Sequence, residues 1–222
     1  MTNYVSKYLR VYLLDDHDIV RQGLRDLLVP ATDIHVVGDS GSAREAARAI
    51  PKLDVDVMVL DLRLQDGTGI EVCRAVRAAN PAVRGLLLTS ADDDEALEAA
   101  ILAGASGYVV KLTRGSDITT AIRRVGAGKS LIDSATLDGV AQQLKTRGAD
   151  GLEPSLSAVE RSLLCDVLNG LTDAQIAERR AASVAEAAAD TIALIERVMH
   201  PAPTASTTPG ARQAGRHRRA AD

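Results

Sequence analysis

Five short apolar runs, at residues 9–14, 34–38, 55–60, 83–89 and 107–110, are each followed by a stretch whose apolar residues recur every three or four positions. The runs are rich in Val, Leu and Ile, are bounded by polar residues or Gly, and are apolar almost throughout. That is the pattern of strands buried on both faces of a parallel sheet. In the first intervening stretch, Ile19, Val20, Leu24, Leu27 and Leu28 place an apolar stripe on one helix face. Residues 43–50, 70–79, 95–103 and 117–125 continue the helical pattern. Five β–α units in succession predict an α/β fold, a doubly wound five-stranded parallel sheet over residues 1–130. With no Phe, no Trp and only Tyr4, Tyr8, Tyr12 and Tyr108, the core has to be aliphatic. Its stability then comes from buried methyl and methylene groups, at roughly 25 cal/mol per Å².

The remainder reads differently. Residues 131–153 have the pattern of a helical linker, with Leu137, Val140, Ala141 and Leu144 on one side and a turn-rich break at 148–154. Residues 154–200 are helical in pattern throughout, in three short pieces, with Thr172 as N-cap of the second. Residues 201–222 are Pro, Thr, Ser, Ala and Arg, the composition of a disordered tail, with a basic cluster at Arg212, Arg216, His217, Arg218 and Arg219. Cys73 and Cys165 are far apart and lack metal-ligand spacing, so both read as small buried hydrophobes. No apolar run approaches the ~20 residues that span a bilayer, and the N-terminus has no signal-peptide stretch. A reduced, cytoplasmic protein is expected.

Polar residues collect where strands end. Asp15 and Asp16 follow the first strand and Asp61 the third; Thr89 closes the fourth, with Ser90 next to it, and Lys111 follows the fifth. Ligands of open α/β sheets bind at this carboxyl edge. Three acids there repel one another unless a cation intervenes, and a hard, oxygen-seeking ion such as Mg²⁺ suits them. A hydroxyl and an ammonium at the same edge can hold the oxygens of a phosphoryl group.

On these residues the chain resembles the response regulators of two-component systems. The motifs are Leu14-Asp15-Asp16-His17, Val59-Leu60-Asp61-Leu62-Arg63-Leu64, Asp66-Gly67, Leu88-Thr89-Ser90 and Gly104-Ala105-Ser106-Gly107-Tyr108-Val109-Val110-Lys111. The resemblance covers residues 8–130 and implies a flavodoxin-like receiver domain. It implies Asp61 as phosphoacceptor for a sensor histidine kinase. Asp16, Asp15, Asp61 and the Arg63 backbone carbonyl would hold Mg²⁺; Thr89, Ser90, Tyr108 and Lys111 would bind the phosphoryl group and throw the switch. Gln65 stands where the family usually has Pro, and Leu112 where Pro or Asp often follows the Lys; the expectation is that both leave the chemistry alone and act on loop stiffness and phosphoryl lifetime.

The layout of receiver, linker and small all-α helix-turn-helix domain resembles the NarL/LuxR branch, and the wording of residues 100–107 and 125–131 is similar to the actinobacterial dormancy regulators (DosR/DevR-like). That implies a homodimer, or a heterodimer with a related regulator, that binds DNA to control transcription. At the recognition helix the pattern diverges to Glu186-Ala187-Ala188-Ala189-Asp190-Thr191. Alanine can touch a thymine methyl but cannot read base edges by hydrogen bonds. Residues 154–200 carry four Arg, no Lys and seven acids, the wrong sign for a phosphate-binding face. Arg179, Arg180, Arg212, Arg216, Arg218 and Arg219 are the candidate DNA or phosphate contacts. The alternative is a phospho-switch whose output domain binds protein. A haloacid-dehalogenase-type phosphatase would want a second Asp two residues after the nucleophile, where this chain has Arg63, so no enzyme is expected beyond slow self-dephosphorylation.

Overall fold

The computed structural model describes residues 8–90, 94–111, 115–133, 135–136, 138–140, 142, 156–168 and 171–199. Strands β1 (Leu9–Leu14), β2 (Ile34–Ser40), β3 (Val57–Asp61), β4 (Arg84–Thr89) and β5 (Gly107–Val110) form one sheet in the order β2-β1-β3-β4-β5. Every neighbouring pair is parallel. Helices α1 (Asp18–Leu28), α2 (Ala43–Ala49), α3 (Gly69–Ala79), α4 (Asp94–Leu102) and α5 (Gly115–Gly126) make the crossovers. This is the doubly wound fold expected; the second strand runs on to Ser40 and the third is shifted forward to end on Asp61 itself. Between Asp61 and α3 the chain forms a two-residue antiparallel ribbon, Arg63–Leu64 against Gly67–Thr68, which the sequence did not announce.

Side chains alternate across the sheet because the strand period is two. Val11, Leu13, Val57, Val59, Leu86 and Leu88 face Leu24 and Leu28 of α1 and Ile118, Ile122 and Val125 of α5. Tyr12, Leu14, Met58, Leu60 and Leu87 face the side covered by α2, α3 and α4. Ile19 does not join its predicted stripe and is 84% exposed. It lies one position, about 100° of helix rotation, off the Val20–Leu24–Leu28 line that meets the sheet.

The second cluster continues into three further helices, α6 (Ala158–Leu168), α7 (Asp173–Arg180) and α8 (Val184–Met199), through Leu163, Leu164, Val167, Ile176, Leu194 and Ile195. Thr172 caps α7 as its sequence position suggests, in a reciprocal capping box with Gln175. Ala181, at φ 53°, makes the left-handed turn between α7 and α8. Helices α6–α8 pack against α3 and α4, and an ion pair ties the two layers together. Arg74 of α3 donates from Nε (3.1 Å) and NH2 (2.5 Å) to Asp173 Oδ1 at the start of α7, and from NH1 to the Leu102 carbonyl at the end of α4 (3.0 Å). Both charged side chains are almost fully buried, at 6% and 2% exposure.

Between α5 and the next described helix, residues 135–136, 138–140 and 142 are helical and Val140 is buried; Leu137, Ala141, Leu144 and the break at 148–154 lie outside the described residues. Cys73 is fully buried, its thiol pushed up to about 12 by burial, and Cys165 is partly buried; both are free. No helix among the described residues is long and apolar enough to cross a membrane.

Candidate functional site

The carboxyl ends of β1, β3, β4 and β5 converge, so residues distant in sequence meet. Asp61 ends β3 and is 5% exposed, and Asp15, just past β1, is fully buried. The Lys111 ammonium, one residue past β5, sits 2.7 Å from Asp15 Oδ2 and 2.7 Å from Asp61 Oδ2. Its place is fixed by a backbone bond from its own N–H to the Thr89 carbonyl, 2.7 Å. Thr89 closes β4, buried at 6% exposure, one residue beyond the Leu88 that pairs with Asp61. Ser90, next in the chain, is exposed. Tyr108, in β5, is half-buried against the core on the α4 side.

Burial pushes the Asp61 carboxyl above its ordinary value, against the lowering effect of Lys111. Burial pulls Lys111 the other way, yet hydrogen bonds to Asp15 and Asp61 outweigh it and hold the ammonium above its ordinary value. The pocket therefore pairs a strained anion with a secure cation.

Asp15, Asp16, His17 and Asp61 each bring a ligand atom within 4.8 Å of the others. Asp16 Oδ1 is buried and accepts no hydrogen bond, with the His17 ring nitrogen Nδ1 2.8 Å away. An unsatisfied buried carboxylate oxygen among three acids fits a hard cation. The main-chain N–H of Gln65 donates to Asp16 Oδ2 at 3.1 Å. This corrects the expectation that the departure at residue 65 leaves the chemistry untouched: proline has no N–H, so the bond exists because of the departure. Asp66 lies in the turn of the short ribbon, as read, and from there also reaches the start of α2, accepting from Ser42 Oγ at 2.7 Å and the Ala43 N–H at 2.8 Å. Arg63 is exposed at the mouth of the pocket, its N–H 3.5 Å from Asp61 Oδ1.

Gly69 closes the site from behind. A Cβ there would lie 2.3 Å from the Asp61 carbonyl oxygen, so only glycine lets α3 start directly against the acceptor strand. Thr68 caps α3 in a capping box with Glu71, which fixes where that helix begins.

The second group of candidates is not brought together as a free basic face. Arg179 NH1 reaches Asp166 Oδ1 at 2.5 Å, and Arg180 NH2 reaches Asp166 Oδ2 at 3.3 Å. Asp166 projects from α6 and is buried at 5% exposure. One buried acid thus takes up both arginines of α7. Arg212, Arg216, Arg218 and Arg219 lie outside the described residues.

An acidic cluster, a buried strand-end aspartate and a lysine bridging them, on a β2-β1-β3-β4-β5 sheet, define a receiver domain, and the chain matches the response regulator receiver domain family over residues 11–123. It belongs to that family. It is 47% identical over 174 residues, 77% of this chain and 79% of the other, to the DNA-binding transcriptional activator DevR/DosR of Mycobacterium tuberculosis. It is 32% identical over 171 residues, 77% and 81% of the two chains, to the transcriptional regulatory protein LiaR of Bacillus subtilis. Among solved structures it resembles a LuxR-family two-component response regulator from Aurantimonas, with TM-score 0.54 and 33% identity over 61% of this chain and 97% of that one. Salmonella RcsB shares the fold over 86% of this chain and 92% of that one, at TM-score 0.52 and 22% identity.

Proposed function

We propose that this chain is a phosphorylation-controlled regulator of transcription in which Asp61 accepts a phosphoryl group from the phosphohistidine of a sensor kinase. The observation that carries the reading is the Lys111 ammonium, 2.7 Å from both Asp61 and Asp15. It is a cation placed to be handed from carboxylate to phosphoryl oxygens as the charge develops. Asp61 attacks phosphorus in line, the phosphorus–nitrogen bond to histidine breaks, and an aspartyl phosphate forms. Mg²⁺, held by Asp15, Asp16, Asp61 and the Arg63 carbonyl, would supply charge neutralisation for the incoming oxygens. Thr89 and Ser90 then hydrogen-bond the phosphoryl group and Tyr108 moves into the vacated space. Enzymatic activity is limited to slow hydrolysis of that phosphate.

The output follows from packing. Thr89 and Tyr108 flank α4, whose last turn offers the Leu102 carbonyl to Arg74, and Arg74 holds Asp173 of the output domain. A shift of α4 on phosphorylation loosens this clasp and frees α6–α8 to meet DNA as a homodimer. DevR/DosR, by its name, binds DNA and activates transcription. The test is labelling by a small phosphodonor with Mg²⁺: the wild type takes up one phosphoryl group and Asp61→Asn takes up none. Undiminished labelling of the variant sinks the assignment.

A second reading rests on the pairing of Arg179 and Arg180 with Asp166 and on the exposed face of α8, where Ala185, Glu186, Ala189, Asp190 and Ala193 stand. Such a face offers no cation to a phosphate, and the output domain then engages protein, for example a related regulator. Selection from genomic fragments by the phosphorylated protein separates the two. Enrichment of a motif dependent on Asp61 supports DNA readout, and absence of enrichment supports the protein partner.

A further inference from the structure

A charged feature that the proposed function leaves unused lies on the receiver. Arg44, Arg48 and Lys52 stand one helical turn apart along α2 and the short 3₁₀ turn after it, Ile50–Lys52. All three are exposed, and none enters an ion pair or side-chain hydrogen bond among the described residues. Arg10, Arg21, Arg25, Arg74, Arg123, Arg179, Arg180 and Arg197 all pair with acids. The row lines an open groove of about 480 Å³ with Ser42, Ala49 and Leu53. Glu45 also lines the groove, and each acid nearby has a partner of its own. Glu45 accepts from Ser40 Oγ at 2.7 Å, Asp66 is spent capping the start of α2, and Asp54 pairs with Arg10.

We infer that this row is a phosphate-backbone contact for duplex DNA. Three cations four residues apart, about 6 Å of rise each, form a ladder of point charges. A duplex presents a phosphate every ~3.4 Å of axis on each strand, so each cation meets its own phosphate without needing base geometry. Among the described residues the C-terminal helices offer less of this attraction, because Arg179 and Arg180 share the buried Asp166 and the exposed face of α8 carries Glu186, Asp190 and alanines. The receiver therefore provides the sequence-independent part of the affinity and holds the molecule on the duplex. The inference rests on the reading that DNA is the output partner, and charge complementarity favours phosphate over an apolar protein surface.

The test uses the full chain and a fluorescent duplex of arbitrary sequence, with affinity followed across salt concentration. The triple variant Arg44→Gln, Arg48→Gln and Lys52→Gln is compared with wild type. Folding of both is verified by phosphodonor labelling of Asp61. The expected result is a plot of log K against log salt shallower by roughly 2.7, and near 0.1 M salt a loss of affinity on the order of a hundredfold. An unchanged slope overturns the inference. So does a variant that loses self-association, or capture of an acidic protein, while binding DNA as before; that result assigns the row to a protein partner. The two readings fail separately. Selection of a defined sequence with no dependence on the row removes this inference and keeps DNA readout. Binding that depends on the row without any sequence preference keeps this inference and removes sequence readout.

Discussion

Single backbone groups set the chemistry of the pocket. The Gln65 N–H holds Asp16 and draws off part of the charge that three acids would otherwise share. Gln65→Pro, the residue the family usually carries, deletes that donor. The metal-free protein is then expected to lose about 1 kcal/mol of stability. Mg²⁺ binding is expected to tighten about fivefold, because the ion relieves more repulsion than before. Thermal unfolding without metal and calorimetric Mg²⁺ titration read the two effects; weaker Mg²⁺ binding with unchanged stability would show that the amide orients Asp16 rather than calming it. The motif positions Asp15, Asp16, Asp61, Thr89 and Lys111 were legible because each ends a strand. The Gln65 contact was not, since it joins a main-chain atom to a side chain 49 positions away and leaves no mark in the residue types.

At the scale of elements, strands and helices follow their periodicity, and the junctions are set by charge. Arg10 of β1 grips Asp56, just before β3, by Nε at 3.0 Å, NH2 at 2.9 Å and its own backbone N–H at 2.8 Å. The hydrogen bonds from Arg10 hold the Asp56 carboxyl below its ordinary value, against the opposing effect of burial. A depressed folded value means that the pair contributes stability above the unfolded value of about 3.9. That contribution is lost as pH falls through the folded value. Arg10→Met is expected to cost about 1–2 kcal/mol at pH 7. Denaturant titrations should show the gap between variant and wild type closing as the solution is acidified past that range; a gap independent of pH would mean that packing of the arginine stem, not its charge, stabilises the junction.

For the whole molecule, the question is what keeps the output helices on the receiver. The shared apolar cluster supplies area, and Arg74–Asp173 supplies a condition: both charges stay buried only while α7 lies against α3. Removing one member of a buried pair costs about 3–5 kcal/mol, since the other is left uncompensated. Arg74→Met should therefore open the interface rather than unfold the receiver, letting Asp173 reach water. Hydrogen exchange should rise in α3, α4 and α7 together, and Arg74→Met with Asp173→Leu should restore protection. Equal protection in the single variant and the wild type would exclude the clasp as the element that phosphorylation releases.

The sequence by itself determined the receiver. Local periodicity dictates its strands and helices, and the rule that ligands meet at the carboxyl edge of a parallel sheet turns five scattered residues into one pocket. The same reading found Thr172 as a cap and the wrong sign of charge in the output domain. Only the tertiary structure decided that Asp166 takes up Arg179 and Arg180, that Ile19 faces solvent, and that Arg74 binds Asp173, 99 positions on. These depend on which helix faces meet across a layer. Periodicity states that a face is apolar or charged, whereas the choice of its partner is made by the packing of the whole chain, where a buried charge must find its opposite or remain uncompensated.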